Sequence, residues 1–531
     1  MPLRKQPLSL LDISRNCLIH QIVFECQSYC KWINLPIERI VLRGHVVCPD
    51  QLLALKKLLR DNLPNDLFDH VCNETLLSLS YKIGRTSHRE YENVLKVILS
   101  LFVNTNMRIF YPKDAHGISF IWSPVPDIDS FWMGMLCTAR KLVVLSLYKV
   151  CTDEILEVVG KNCLLLEVID ITSKTACFER KKKFNINALR LQYFVTDTGL
   201  VHLTKCKKLR EVYMNSLSAN HHARRMVTQN GILQLVRSLP HLNFISYKAM
   251  GTIVYTLNLN ENAPPLSLMH IEEDNCKPEH IRAITKLCHN LKSLVLVRQR
   301  TFYFKPSCSY EVEHDIIAEL SASRLQLQHL RLQYWPYMKS VIKFIKLKGH
   351  HLRTLRIIYL ENSGTISSND LNVIGQSCPN IECLHVDPVS SHDSDSINVR
   401  STDKKHFMNL TSLYFHGINW SPEVCFVMCI RNAVKLKILY LTHDYLSPSD
   451  SVNFNNHFCN LLKINPLSEL QVLNLGRGMN MSEDTVYKII EQCTNLKSIA
   501  LLRDCVHRTF ESELHHYIAA NNFKLSVHFD Y

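Results

Sequence analysis

The chain carries 20 cysteines and 26 histidines, the side chains that ligate transition metals and, for the thiol, act as nucleophiles. Spacing decides how much of that chemistry is open. Cys26 and Cys30 stand about one helical turn apart, but no second Cys/His pair at zinc spacing follows to close a four-ligand site. The pairs His221-His222, His350-His351 and His515-His516 fall near loops or repeat ends without a placed carboxylate or thiol partner, which reads as solvated imidazole. The sequence contains no phosphate-cradling loop, dinucleotide fingerprint or nucleophile elbow. No residue is therefore assigned to catalysis, a cofactor or a metal, and a protein that is not an enzyme by itself is expected.

Composition narrows the class further. Of 531 residues, 46% are apolar and 21% charged, too apolar for disorder and ordinary for a well-buried protein. The balance of 61 basic against 48 acidic residues is +13, which favours acidic partners without requiring nucleic acid. The start, Met1-Pro2-Leu3-Arg4-Lys5, leads into an amphipathic stretch with Asp12 and Arg15 and has no signal-peptide core. No apolar run approaches the ~20 residues of a membrane span. These features predict a cytoplasmic or nuclear protein with reduced thiols and no membrane partner. Arg180-Lys181-Lys182-Lys183 is either a nuclear-import patch or a solvated loop, and nothing around it interleaves basic with aromatic residues as RNA binding would need.

The elements that position side chains come from a repeat. The pattern Leu-x-x-Leu-x-Leu, with other apolar residues substituting, occurs fourteen times, from Leu142, Leu145, Leu147 to Leu496, Ile499, Leu501. Its central residues fall at 145, 169, 189, 212, 245, 269, 294, 330, 355, 384, 413, 439, 473 and 499. The last two apolar positions alternate with polar ones, so each copy predicts a short strand with one buried face. Helical stretches such as Thr152 to Val159, His280 to Leu287, Asp370 to Ile374 and Glu483 to Ile490 lie between copies. No such unit buries its apolar side alone, so neighbours must stack. The longer steps, Asn215 to Asn230, Thr301 to Ser323 and Pro388 to Lys405, read as rim loops.

Five copies carry a cysteine three residues before the first apolar position: Cys163, Cys206, Cys288, Cys378 and Cys493. A buried cysteine behaves as a small hydrophobe and suits a turn packed under the next repeat. The array resembles the cysteine-containing leucine-rich repeats of ubiquitin-ligase receptors. That resemblance implies an α/β leucine-rich-repeat solenoid, a horseshoe, over residues 142–502, with a small helical segment at 1–75. Residues 76–141 are then degenerate repeats or a cap, and 503–531 a C-terminal cap. Degenerate copies are expected at Ile37, Ile40, Leu42 and at Leu76, Leu79, Tyr81.

Before the array, Ser9, Leu10, Ile13, Ser14, Cys17, Leu18 and Ile22 recur at helical spacing, with Asp12, Arg15 and Asn16 on the outward side. Ser9-Leu10-x-x-x-Ser14-x-x-x-Leu18 is similar to the elongin-binding box, with Ser14 where the box has cysteine. The resemblance implies a helix laid in an adaptor groove, Leu10 being its anchor and Ser9, Ser14, Cys17 and Leu18 its neighbours. Leu63-Pro64-Asn65-Asp66-Leu67-Phe68 resembles the Leu-Pro-x-x-Leu element that follows this box in PRAME-like receptors of cullin-2 ligases. Leu63, Pro64 and Leu67, and Val71 beyond them, would then make the second contact; the same residues could open an F-box.

The implied function is the substrate-recognition subunit of a cullin-RING ubiquitin ligase, linked through an elongin. The alternatives are an F-box receptor on another adaptor and an interaction scaffold without a ligase. Residues 8–24 also suit a plain cap on the first repeat.

Residues between and just after the strand leucines should line the concave face. They are Tyr148, Arg190, Tyr213, Lys248, His270, Arg298, Arg331, Tyr334, Arg356, His385, Tyr414, His416, Tyr440 and Arg503. Arginine and tyrosine are strong interface anchors, and arginine pairs bidentately with carboxylate or phosphate. An acidic or phosphorylated protein segment is the expected substrate, with Arg190, Tyr213, Arg298, Arg331, Arg356, His385, Tyr414 and Tyr440 as its contacts.

Overall fold

The computed structural model describes residues 10–32, 41–42, 45–46, 50–82, 97–111, 128–147, 151–172, 195–214, 227–260, 262–298, 311–335, 338–358, 366–389, 406–417, 427–443, 448–476, 481–502 and 508–530. It divides into an N-terminal unit, residues 8–249 with 266–268, and a C-terminal unit, 1–7, 250–265 and 269–531. The division falls inside the run of repeats.

The N-terminal unit opens with helices Leu10–Trp32 (α1), Asp50–Asn62 (α2) and Asn65–Lys82 (α3). Two-residue strands Val41–Leu42 (β1) and His45–Val46 (β2) pair antiparallel between α1 and α2. Ile109–Phe110 (β3), Val144–Ser146 (β4), Val168–Asp170 (β5), Glu211–Tyr213 (β6) and Phe244–Ile245 (β7) then form a parallel sheet in chain order. Its connections cross over through Ile128–Thr138 (α4), Asp153–Asn162 (α5), Asp197–Leu203 (α6) and Gln229–Ser238 (α7). Each of the last three helices starts at a threonine, Thr152, Thr196 and Thr228, whose hydroxyl accepts a first-turn N–H. The caps are also chained together. Asp153 accepts the Thr196 N–H at 2.8 Å, and Asp197 accepts the Thr228 N–H at 2.7 Å.

The C-terminal unit begins with Met250–Asn258 (α8) and holds ten parallel strands in chain order. They are His270–Asp274 (β8), Ser293–Val297 (β9), His329–Gln333 (β10), Thr354–Ile358 (β11), Cys383–Val389 (β12), Ser412–Gly417 (β13), Ile438–His443 (β14), Val472–Leu475 (β15), Ser498–Leu502 (β16) and Ser526–Asp530 (β17). Helices Pro278–Leu287 (α9), Glu311–Ala322 (α10), Met338–Lys348 (α11), Ser368–Ser377 (α12), Pro448–Ile464 (α13), Glu483–Gln492 (α14) and Arg508–Ala520 (α15) connect them.

The register explains the repeat. Leu330, Leu355, Leu384, Leu413, Leu439, Leu473 and Ile499 are direct neighbours on successive strands, and all are buried. Each such side chain contributes about 1.5–3 kcal/mol by leaving water. The cysteine sits where the helix ends. Cys163, Cys288, Cys378 and Cys493 are C-caps, and the carbonyl of each accepts the N–H of the first repeat leucine or isoleucine, as Leu166 N–H to Cys163 O at 3.1 Å. The thiols donate to the preceding turn: Cys206 Sγ to Cys163 O at 3.6 Å, Cys493 Sγ to Pro466 O at 3.7 Å. Burial pushes Cys163, Cys288, Cys378 and Cys493 up to about 12, so they stay protonated and serve as packing groups.

Several expectations change. Leu76, Leu79 and Tyr81 lie in α3, and Leu42 in the antiparallel β1–β2 pair, so neither set is a repeat strand. A three-residue apolar step is shared by the repeat and by a helix, which is why the pattern misled. The copy at Ile186, Leu189 and Leu191 lies outside the described residues. The stretch 301–323 contains α10, so it is a repeat helix and not only a loop. Strands β3 and β17 extend the array beyond both expected ends.

The copy at 266–271 is shifted by two. Ile271 pairs with Leu294, and Glu273 pairs with Leu296, so the third apolar position of this repeat is a glutamate. Glu273 is fully buried. Its carboxylate accepts the Thr252 N–H at 3.1 Å and the Thr252 hydroxyl at 2.8 Å, and His280 Nδ1 lies 3.1 Å away. The charge therefore sits at the N-terminus of α8, where unpaired N–H groups and the helix dipole favour it.

Candidate functional site

Alternation along each strand turns the residue between two buried leucines to the opposite face. Parallel register then lines those residues up. Arg331, Arg356, His385, Tyr414 and Tyr440 are consecutive neighbours across β10 to β14. Adjacent strands are about 4.8 Å apart, close to the preferred spacing of stacked rings. Accordingly, His385 and Tyr414 stack with centroids 5.3 Å apart, and Tyr414 and Tyr440 at 5.1 Å. The two arginines continue the row. Arg331 donates to Gln333 Oε1 at 2.8 Å, and among the described residues neither arginine is in an ion pair.

Burial first, then Arg356, Arg331 and His416, push His385 down to about 4, so its ring is neutral at neutral pH. This shift has a testable sign. The unfolded chain takes up the proton near pH 6.5, before the folded one does. The stability this depressed pKa supplies is present above pH 6.5 and is lost as pH falls towards 4. Comparing the urea midpoint of the transition that contains β12 at pH 7 and 4.5, the wild type should lose more stability than His385→Asn; equal losses would rule the effect out.

The other sequence-derived contacts stand differently. Arg298 follows β9 and pairs with Glu313 of α10 at 2.6 Å, both largely buried, so its charge is neutralised inside the protein. Tyr213 lies in the N-terminal unit, where its hydroxyl donates to Glu211 Oε2 at 2.8 Å. His270 meets Ser293 Oγ at 2.8 Å, one row away from the arginine–tyrosine row, as the two-residue shift requires. His416 contacts Thr442 and lies 4.0 Å from Asp387. Lys248 and Tyr334 are half-buried. Arg190, Tyr148, Arg503 and the basic run at 180–183 lie outside the described residues.

A polar groove of about 490 Å³ crosses the turns before β10 to β14 and had no signal in the repeat pattern. Within it Arg353 pairs with Glu382 at 3.2 Å, and Lys435 donates to the Asn409 amide oxygen at 2.9 Å.

The N-terminal segment offers a second surface. Ile19, Ile22, Val23 and Cys26 form the buried stripe of α1, which packs on α3. Ser14 and Cys17 are exposed, as is Phe24 at 60%, and Leu18 is half-buried. At 100° per residue, positions 14, 17, 21 and 24 share one side of the helix, opposite that stripe, and the Leu10 side chain lies outside the described ones. Arg15 and Asn16, expected outward, are half-buried; Arg15 Nη1 contacts His70 Nε2 of α3 at 3.1 Å. Ile22, expected beside Leu10, belongs to the core. Ser9 lies outside the described residues.

Helix α3 is held in the fold. Phe68 and Val71 are buried, Leu63 is half-buried, and Pro64 and Leu67 are exposed. Asp69 accepts the N–H groups of Arg108 at 3.1 Å and Ile109 at 2.9 Å, and Asn73 accepts that of Tyr111 at 3.1 Å. These side chains occupy the open edge of β3, as a neighbouring strand would. Helix α3 thus covers that edge, while Ser14, Cys17 and Phe24 of α1 are exposed.

Among the described residues, no cluster of three His, Cys, Asp or Glu side chains is placed to hold a metal, and no helix is long and apolar enough to cross a membrane. What the geometry defines is a mixed α/β protein of parallel sheets and stacked strand–helix units. No family model matches the chain, and no curated protein does. A crystal structure of the Rad7 and Elc1 complex in yeast is similar over 88% of this chain and 91% of that one, at 14% identity and a TM-score of 0.36. A likeness this loose says nothing about what the chain binds.

Proposed function

We propose that this is a leucine-rich-repeat receptor whose first helix docks an elongin-type adaptor of a cullin-RING ubiquitin ligase and whose sheet face holds the target protein. It acts by proximity, presenting a target to a recruited conjugating enzyme. The observation that carries this reading is the two-sided character of α1. One stripe is consumed by α3, while the side bearing the box positions keeps Cys17 and Phe24 in water. An exposed Phe at 60% on a helix already anchored through its other face is the arrangement a groove-binding partner needs.

Purified elongin B–C should bind the full chain, and Leu10→Glu and Phe24→Glu should each weaken binding at least tenfold while leaving the circular dichroism spectrum unchanged. Binding indifferent to both substitutions, or absent, defeats the elongin reading. Recovery of an F-box-type adaptor sensitive to Leu67→Glu would move the docking site to the start of α3.

A further inference from the structure

We infer that the row Arg331, Arg356, His385, Tyr414, Tyr440 is a docking track for an extended acidic peptide, laid across the strands with its oxyanions facing the sheet. This rests on the reading of the sheet face as the target-binding surface and specifies what that surface takes.

The chemistry of the row is one-sided. Two guanidinium groups stand side by side without a carboxylate partner among the described residues. Beyond them come a neutral imidazole and two phenols, whose hydroxyls make no hydrogen bond among the described residues. No acidic residue interrupts the row from β10 to β14. It ends at Val295 and then Glu272 on one side and at Asn474 on the other.

The stacking decides which kind of anion fits. His385, Tyr414 and Tyr440 use ring faces on one another, with interplanar angles of 23° and 25°. The ligand therefore meets ring edges, which carry the positive end of the quadrupole, and hydroxyl donors. A nucleic-acid strand would need free aromatic faces on which to stack its bases. An acidic peptide needs only donors. Four strand steps span roughly 19 Å. An extended chain covers that length in about six residues and turns every second side chain, roughly every 6.6 Å, towards the sheet. Two or three acidic side chains thus reach the arginines and phenols together. Carboxylate and phosphate share this chemistry and must be separated by experiment.

The test uses the purified full chain and fluorescence anisotropy. Four fluorescein-labelled probes are compared: a decapeptide alternating glutamate with serine, the same peptide with phosphoserine at the glutamate positions, its lysine counterpart, and decauridylate. Either acidic peptide should bind and the lysine peptide should not; the tighter of the two identifies the oxyanion. Arg331→Gln with Arg356→Gln should weaken acidic-peptide binding at least tenfold. Tyr414→Phe with Tyr440→Phe keeps both rings stacked and removes only the hydroxyls, and should weaken it severalfold.

Acidic-peptide binding unchanged in both double variants overturns the proposal. So does the absence of binding to either acidic peptide, or decauridylate binding more tightly and being lost in the variants. The elongin B–C assay runs on the same preparations. Adaptor binding intact with no peptide track leaves the receptor reading standing, whereas peptide binding without an adaptor removes the ligase link alone.

Discussion

Replacing Glu273 with alanine is expected to destabilise the start of the C-terminal unit by about 2–4 kcal/mol, the effect of leaving buried donors unsatisfied beside a new cavity. The carboxylate is fully buried, accepts the Thr252 N–H and the Thr252 hydroxyl, and lies 3.1 Å from His280 Nδ1. Its removal orphans the two Thr252 donors in a site that water does not reach and leaves a cavity beside Leu296. Gly251 shows how closely the carboxylate is approached: a Cβ there would lie 2.9 Å from it. Glu273→Gln preserves shape and an acceptor for Thr252, so its cost should be only about 1–2 kcal/mol. Glu273→Leu would restore the apolar repeat position yet still orphan the donors. With two structural units, a single global unfolding curve is not the right readout. Hydrogen exchange of α8 is: its amides should lose protection in Glu273→Ala and largely keep it in Glu273→Gln. Unchanged protection in the alanine variant would show that the cluster does not hold α8.

The second large effect is expected at Gly160, in the last turn of α5. In an isolated helix, glycine to alanine gains about 1 kcal/mol. Here a Cβ would run into the carbonyl oxygen of His202 in α6, with the carbonyl carbon at 3.0 Å and His202 Cβ at 3.2 Å. That obstacle is backbone and cannot rotate away. The two helices would have to separate, opening gaps around Leu156, Val159, Leu200 and Leu203, all buried. Overpacking of this kind costs about 1–3 kcal/mol, so Gly160→Ala should be net destabilising despite its better propensity. Differential scanning calorimetry of the full chain should show the transition containing the N-terminal unit moved down. A transition at the wild-type temperature or above would mean that the helices part freely.

Much of the fold was legible because its physics is periodic. A leucine that must be buried at the same point of every unit leaves a mark every few tens of residues, and the strands at Leu330, Leu355, Leu384 and Leu413 fall on that mark. The cysteine positions were legible too, since only a small apolar residue fits the turn under the next repeat. Failures occurred where one residue broke the period. Glu273 in a leucine position moved the reading frame by two and placed His270 on the wrong row. Leu76 and Leu79, three apart, satisfy helix and repeat alike, and only pairing separates the two. Arg298 looked like any other cation after a strand until α10 brought Glu313 to within 2.6 Å of it.

The sequence by itself determined that short apolar-faced strands alternate with helices, that cysteines end several of those helices, and that α1 carries a box-like set of positions at helical spacing. These follow from local chemistry and from the need of each unit to bury one side. Only the tertiary structure decided which side of α1 meets α3, which arginine is spent on an internal carboxylate, and which donors stand next to each other. Those outcomes depend on contacts between residues tens of positions apart, set by parallel register across the sheet and by helix packing, and no local pattern in the chain encodes them.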